Sequence, residues 1–264
     1  MSTHLSDAPI PARTVLGTGP GLLLAHGAGG SVEANYGPVM DALAAGHRVV
    51  GVDYPGTGTT PRSPHPLDLD TLADALVAAA DAEGLDRFAV SGFSLGGPVA
   101  IRLAARHPDR VTALVLTAPF PYPDAELRLN ARVWQTLCGA DDPDTLGRFV
   151  LARALSPAAL EAMTPDELEA AARETGATVP EGTADHVDLV IRADVRADLP
   201  RIVAPTLVIS PVDDALVPPR LHRATAAGIP GARLREMPGG HLPFAEHPAH
   251  WARLLTEGLG AGLG

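Results

Sequence analysis

The chain has no lysine: all 20 of its positive charges are arginines. A Schiff-base or Ser–Lys mechanism therefore has no side-chain amine to use. It has one cysteine, Cys138, which excludes an internal disulfide. That residue reads as a small apolar core filler. Positive charge is also short overall, since 31 Asp and Glu leave a formal net charge of −11. A nucleic-acid-binding domain carries a basic footprint, and none is present. No apolar run approaches the ~20 residues of a membrane span. The stretch from Met1 to Pro11 has no basic segment followed by an apolar one, so no signal peptide is expected. These absences predict a chain in a reducing, cytoplasmic setting, with neither nucleic acid nor membrane as partner.

What remains is enough for one large core plus a small insertion, because the chain has 264 residues of which 46% are hydrophobic. Short apolar runs bounded by glycine alternate with helical spacing. Strands are expected at 22–25, 48–52, 88–91, 111–117, 206–210 and 233–237, with a further strand-like segment at 13–16. Helices are expected at 36–45, 69–83, 98–107, 219–227 and 248–255. Continuous apolar strands alternating with helices predict an α/β fold, a mainly parallel sheet covered on both faces. From Phe120 to Asp198 the alternation stops. Helical signals stand there instead, at 124–138, 142–154, 164–174 and 182–193. Thr164-Pro165-Asp166-Glu167 is a capping box with proline at the first helical position. The stretch 120–198 therefore reads as a helical cap inserted into a core made of 1–119 and 199–264.

The sharpest local signal is Gly92-Phe93-Ser94-Leu95-Gly96, placed after a strand and before a helix. A serine on such a tight strand-to-helix turn stands exposed at the carboxyl edge of the sheet, and the flanking glycines let the two elements approach. A serine nucleophile needs a base, and the base needs an orienting carboxylate. Of ten histidines, His241 lies in a loop just after the last strand and can reach that edge. His107, His222, His247 and His250 read as surface residues. The acid is expected after strand 206–210, where Asp213 and Asp214 both stand. No metal is expected, because the histidines around His241 lack a zinc spacing and Cys138 is remote.

These residues resemble the α/β-hydrolase superfamily, in its cap-bearing serine esterase and lactonase branch. The likeness runs from about Leu22 to Leu255, in the chain order Ser94, Asp, His241. The family's acid turn, Gly-x-x-Asp-x-x-Val-Pro, implies Asp214 as the acid, with Pro211 in place of its glycine. Gly240-His241 followed by Glu246-His-Pro248 is similar to the family's histidine loop. His26-Gly27-Ala28-Gly29-Gly30 is similar to its oxyanion loop, which implies backbone donors at Ala28 and Leu95 and a structural role for His26. Asp53-Tyr-Pro-Gly-Thr-Gly58 resembles a packed turn of the family and lacks the lysine of a phosphate loop.

The resemblance implies hydrolysis of an ester or lactone of a small, mainly apolar molecule through an acyl-enzyme, with no cofactor. A serine at position 94 sets the chain apart from the family's epoxide hydrolases and dehalogenases, which use aspartate there. The same three residues also serve C–C hydrolysis, acyl transfer, perhydrolysis, elimination or cyclisation, and cleavage of carrier-bound thioesters. A non-catalytic ligand receptor is a further alternative. The aromatics Phe120, Tyr122, Trp134 and Phe149 are expected either to pack the cap helices or, with Phe93 and Phe244, to wall a substrate pocket above Ser94. Arg128 and Arg132 fall off the apolar face of their helix and are expected in solvent.

Overall fold

The computed structural model describes residues 13–260; the signal-peptide expectation, which concerns residues 1–11, lies outside them. Seven strands form one sheet: β1 (Arg13–Leu16), β2 (Gly21–Ala25), β3 (Arg48–Val52), β4 (Phe88–Phe93), β5 (Val111–Thr117), β6 (Thr206–Pro211) and β7 (Arg233–Met237). Their order is β1-β3-β2-β4-β5-β6-β7. Only the β1–β3 pair is antiparallel. The other pairings are parallel, so β2 to β7 all end at one edge. Side chains alternate along each strand, which splits the interior in two. Leu23 and Val50 face one core, with α3 (Leu69–Ala82) and α4 (Gly96–Arg106). Leu22, Leu24 and Val49 face the other, with Tyr36, Met40 and Trp251.

The second core is covered by α1 (Val32–Tyr36), α2 (Met40–Ala44) and α12 (Pro248–Gly260). The single helix expected at 36–45 is a correction. The chain forms α1, a 3₁₀ turn over Gly37–Val39, then α2. Pro38 has no N–H to extend α1, and Gly37 gains little by remaining helical. α10 (Pro219–Gly228) follows β6, and a short α11 (Pro243–Glu246) follows β7.

Between β5 and β6 lie five α-helices, a 3₁₀ turn over Leu199–Arg201 and no strand: α5 (Ala125–Cys138), α6 (Pro143–Ala154), α7 (Pro157–Glu161), α8 (Pro165–Ala177) and α9 (Thr183–Arg192). The first four start where the sequence supplies a cap. Asp124, Asp142, Ser156 and Thr164 each accept the amide three residues on. Such caps contribute about 1 kcal/mol each. α7 was not foreseen; five residues are too few for a periodic pattern. Among the described residues no helix is long and apolar enough to cross a membrane.

Candidate active site

Four loops at the carboxyl edge bring the chemistry together. Ser94 sits between β4 and α4 with φ at +53°, a left-handed conformation that turns its hydroxyl away from the sheet. Its amide donates to Thr117 O at 3.0 Å, and its carbonyl accepts from Gly97 at 2.8 Å. A Cβ on Gly92 would strike the Gly96 carbonyl, and one on Gly96 would strike the Ala25 carbonyl. No other residue fits either flank of this turn.

His241, after β7, places Nε2 2.9 Å from Ser94 Oγ and Nδ1 2.7 Å from Asp214 Oδ2. Asp214 Oδ1 accepts the amides of Leu216 at 3.0 Å and Val217 at 2.8 Å. These bonds hold the carboxylate aimed at the ring, and they fix a tautomer in which Nδ1 carries the proton and Nε2 can accept one. Ser94, Asp214 and His241 are all buried. Asp213 is exposed and reaches none of them; its amide donates to Gly239 O. Phe93 stacks against the His241 ring at 5.1 Å.

The turn at 27–30 is tied down from three sides. Gly27 N donates to Asn35 Oδ1 at 2.9 Å. His26 donates from Nδ1 to Gly27 O at 2.8 Å and accepts Tyr54 N at Nε2. His186, on α9, accepts Gly29 N and donates to Pro55 O. Among the described residues the amides of Ala28 and Leu95 have no acceptor. Two unmet donors beside Ser94 are what a developing oxyanion requires.

Of the aromatics, Phe93, Trp134 and Phe244 line a cavity of about 300 Å³ that also contains Ser94, His241 and Ala28. Phe120 lines a much smaller one on another side of Ser94, about 10 Å³, with Leu127, Ala131 and Val190. Tyr122 and Phe149 line neither, which corrects the pocket-wall alternative for both. Tyr122 lies under the Arg196 guanidinium, 4.5 Å away, in a surface groove with Arg128 and Arg132. On α6 it is Val150 and Ala154 that face the larger cavity, and Phe149 is turned about 100° away from Val150, the rotation per residue. Arg128 and Arg132 are exposed.

His222 also corrects its expectation, since it is fully buried on α10. Its Nδ1 pairs with Ser210 Oγ at 2.9 Å, and its Nε2 lies 3.5 Å from Asp214 Oδ2. Burial, with His241 and Arg223 nearby, pushes its pKa down to about 4, although Asp214 opposes this. It stands neutral behind the carboxylate.

The inserted helices reach the site through three polar side chains that the sequence did not flag. His186 holds Gly29, as above. Asn130 on α5 donates to the carbonyls of Ala215 at 3.1 Å and Leu216 at 3.2 Å. Ser156 donates to Glu246 Oε2 at 2.5 Å, while Glu246 Oε1 accepts Gly240 N at 2.9 Å. Among the described residues no three His, Cys, Asp or Glu side chains gather as a metal ion would need.

The chain belongs to the α/β-hydrolase family: the family's model, described as alpha/beta hydrolase fold, matches residues 20–248. Among its relatives is a pyrrolizixenacetamide deacetylase of Xenorhabdus hominickii, 34% identical over 92% of each chain. Another is a pimeloyl-[acyl-carrier protein] methyl ester esterase of Chromobacterium violaceum, 35% identical over 92% of this chain and 96% of that one. A thermophilic esterase from Thermogutta terrifontis superposes with a TM-score of 0.81 at 27% identity, over 95% of this chain and 93% of its own.

Proposed function

We propose that this chain is a serine hydrolase that cleaves an ester or lactone of a small, mainly apolar molecule through an acyl-enzyme. The observation that carries the reading is the unbroken line Ser94–His241–Asp214, with bonds of 2.9 and 2.7 Å, whose Ser94 and His241 stand on the wall of the larger cavity. The relatives named as a deacetylase and a methyl ester esterase support acyl-bond hydrolysis. At about 300 Å³ the cavity is at the lower end of ligand pockets, roughly 300–1,000 Å³, which favours a small molecule over a polymer.

His241 Nε2 takes the Ser94 proton as Oγ attacks the acyl carbon. The tetrahedral oxyanion is met by the amides of Ala28 and Leu95, each such donor being worth about 3 kcal/mol. Asp214 stabilises the imidazolium without taking its proton. His241 then protonates the leaving oxygen, the acyl–oxygen bond breaks, and the acyl group remains on Ser94. Water, deprotonated by His241, reverses the sequence and releases the acid. No step calls for a cofactor. In this reading 120–198 is a helical cap over a catalytic core of 1–119 and 199–264.

Stoichiometric labelling by a fluorophosphonate tests the nucleophile. The wild-type protein is expected to gain one adduct on Ser94, and Ser94→Ala none. Folded Ser94→Ala is expected to lose activity by roughly 10⁴-fold or more, since the three residues act as a unit. Full activity in that variant would end the hydrolase reading.

A further inference from the structure

Ser94 stands between two cavities of very unequal size. One measures about 300 Å³, the other about 10 Å³. Ser94, Ala28, Trp134 and Leu216 line both, so they form the partition. An ester carbonyl bonded to Ser94 and held at the Ala28 amide has one cavity on each side for its two arms. The smaller cavity has room for about one water-sized group. Apart from Ser94 and the indole N–H of Trp134 its lining is apolar, and Phe120, Leu127 and Ala131 are at most 2% exposed, so it has little freedom to widen.

Which arm goes where follows from His241. The leaving oxygen must receive its proton from His241 Nε2, and the incoming water must give its proton there. His241 lines the larger cavity and not the smaller one. The leaving group and the water therefore use the large side, and the acyl chain is left with the small one.

We infer that the enzyme is selective for acetyl esters of bulky apolar alcohols, with acyl length capped by Phe120, Leu127, Ala131 and Val190. This rests on the hydrolase reading above and narrows its substrate class. A second polar feature lies in the partition: among the described residues the Trp134 indole N–H is buried and has no partner.

Two ester series test the inference. In the first, 2-naphthyl acetate, butanoate and hexanoate vary the acyl arm. In the second, ethyl, butyl and hexyl acetate vary the alcohol. The expected result is a fall in kcat/KM of at least tenfold from acetate to butanoate, about 1.4 kcal/mol, with no fall along the alcohol series. Val190→Ala should open the small side and narrow the acetate-to-butanoate gap at least threefold. Ala131→Val should fill it and depress acetate hydrolysis. Hexanoate cleaved as well as acetate by the wild-type enzyme overturns the inference, whether or not the variants fold. So does an unchanged acyl ratio in folded Val190→Ala. Either result with Ser94-dependent turnover leaves the hydrolase reading standing. Absence of both ester cleavage and Ser94 labelling removes that reading, and the acyl limit with it.

Discussion

Ser94 holds a non-glycine backbone at +53°, a conformation that costs about 1–3 kcal/mol and persists only where surroundings enforce it. The enforcement is visible in the Thr117 and Gly97 hydrogen bonds on either side of it. The acid turn shows the same economy of single residues. Asp213 and Asp214 are neighbours, yet only Asp214 reaches His241. Asp214→Asn should lower kcat by about 10⁴, because an amide there favours the wrong histidine tautomer. Asp213→Asn should change kcat less than twofold. Steady-state kinetics on the two variants gives the ranking, and the reverse order would move the acid to Asp213. Ser94 and His241 were legible because a strand, a turn and a helix leave a readable pattern around each. His222 was not, because the inner face of α10 carries Leu221, His222 and Thr225, one apolar residue and two polar ones, and gives no apolar stripe to follow.

At the scale of elements, strands were legible wherever Val and Leu run continuously, and β5 falls on its expected bounds of 111–117. Strand β4 extends two residues further than expected, to Phe93, since Gly92 lowers its apolar signal while the parallel partners Ala25 and Leu116 still pair with it. Contacts between distant elements left no trace in the pattern. His186 on α9 lies 157 positions from the Gly29 amide it accepts. Its loss should free the 27–30 turn and misplace the Ala28 donor. Deleting an oxyanion donor outright costs 10²–10³ in kcat; His186→Ala, which only loosens one, should cost about tenfold in kcat with little change in KM. A change confined to KM would assign His186 to substrate binding instead.

For the molecule as a whole, buried histidines set the response to acid. Burial lowers the pKa of His26 to about 3 and of His222 to about 4. In the unfolded chain both protonate near the ordinary value of 6.5. As pH falls below about 6.5 the unfolded state therefore binds protons that the folded state refuses, and stability drops. Each histidine withdraws about 1.4 kcal/mol per pH unit until its folded pKa is reached. Urea unfolding should show a plateau above pH 7 and a clear decline between pH 6 and pH 4.5. His222→Gln should reduce that slope, and His186, whose pKa burial also lowers, should keep part of it. A wild-type unfolding free energy that is constant from pH 7 to pH 4.5 would mean that neither histidine stays neutral.

The inserted helices grip the core at Gly29, at Ala215 and Leu216, and at Glu246, next to three of the four loops that carry the proposed reacting groups. An insertion held in this way acts as a jig for those loops. Exchanging it for that of another hydrolase would remove three fixtures. A chimera built on this core needs His186, Asn130 and Ser156 transplanted at matching positions. Without them its oxyanion turn, its acid turn and its histidine loop would each be free to drift, and the foreign pocket would sit above a disassembled site.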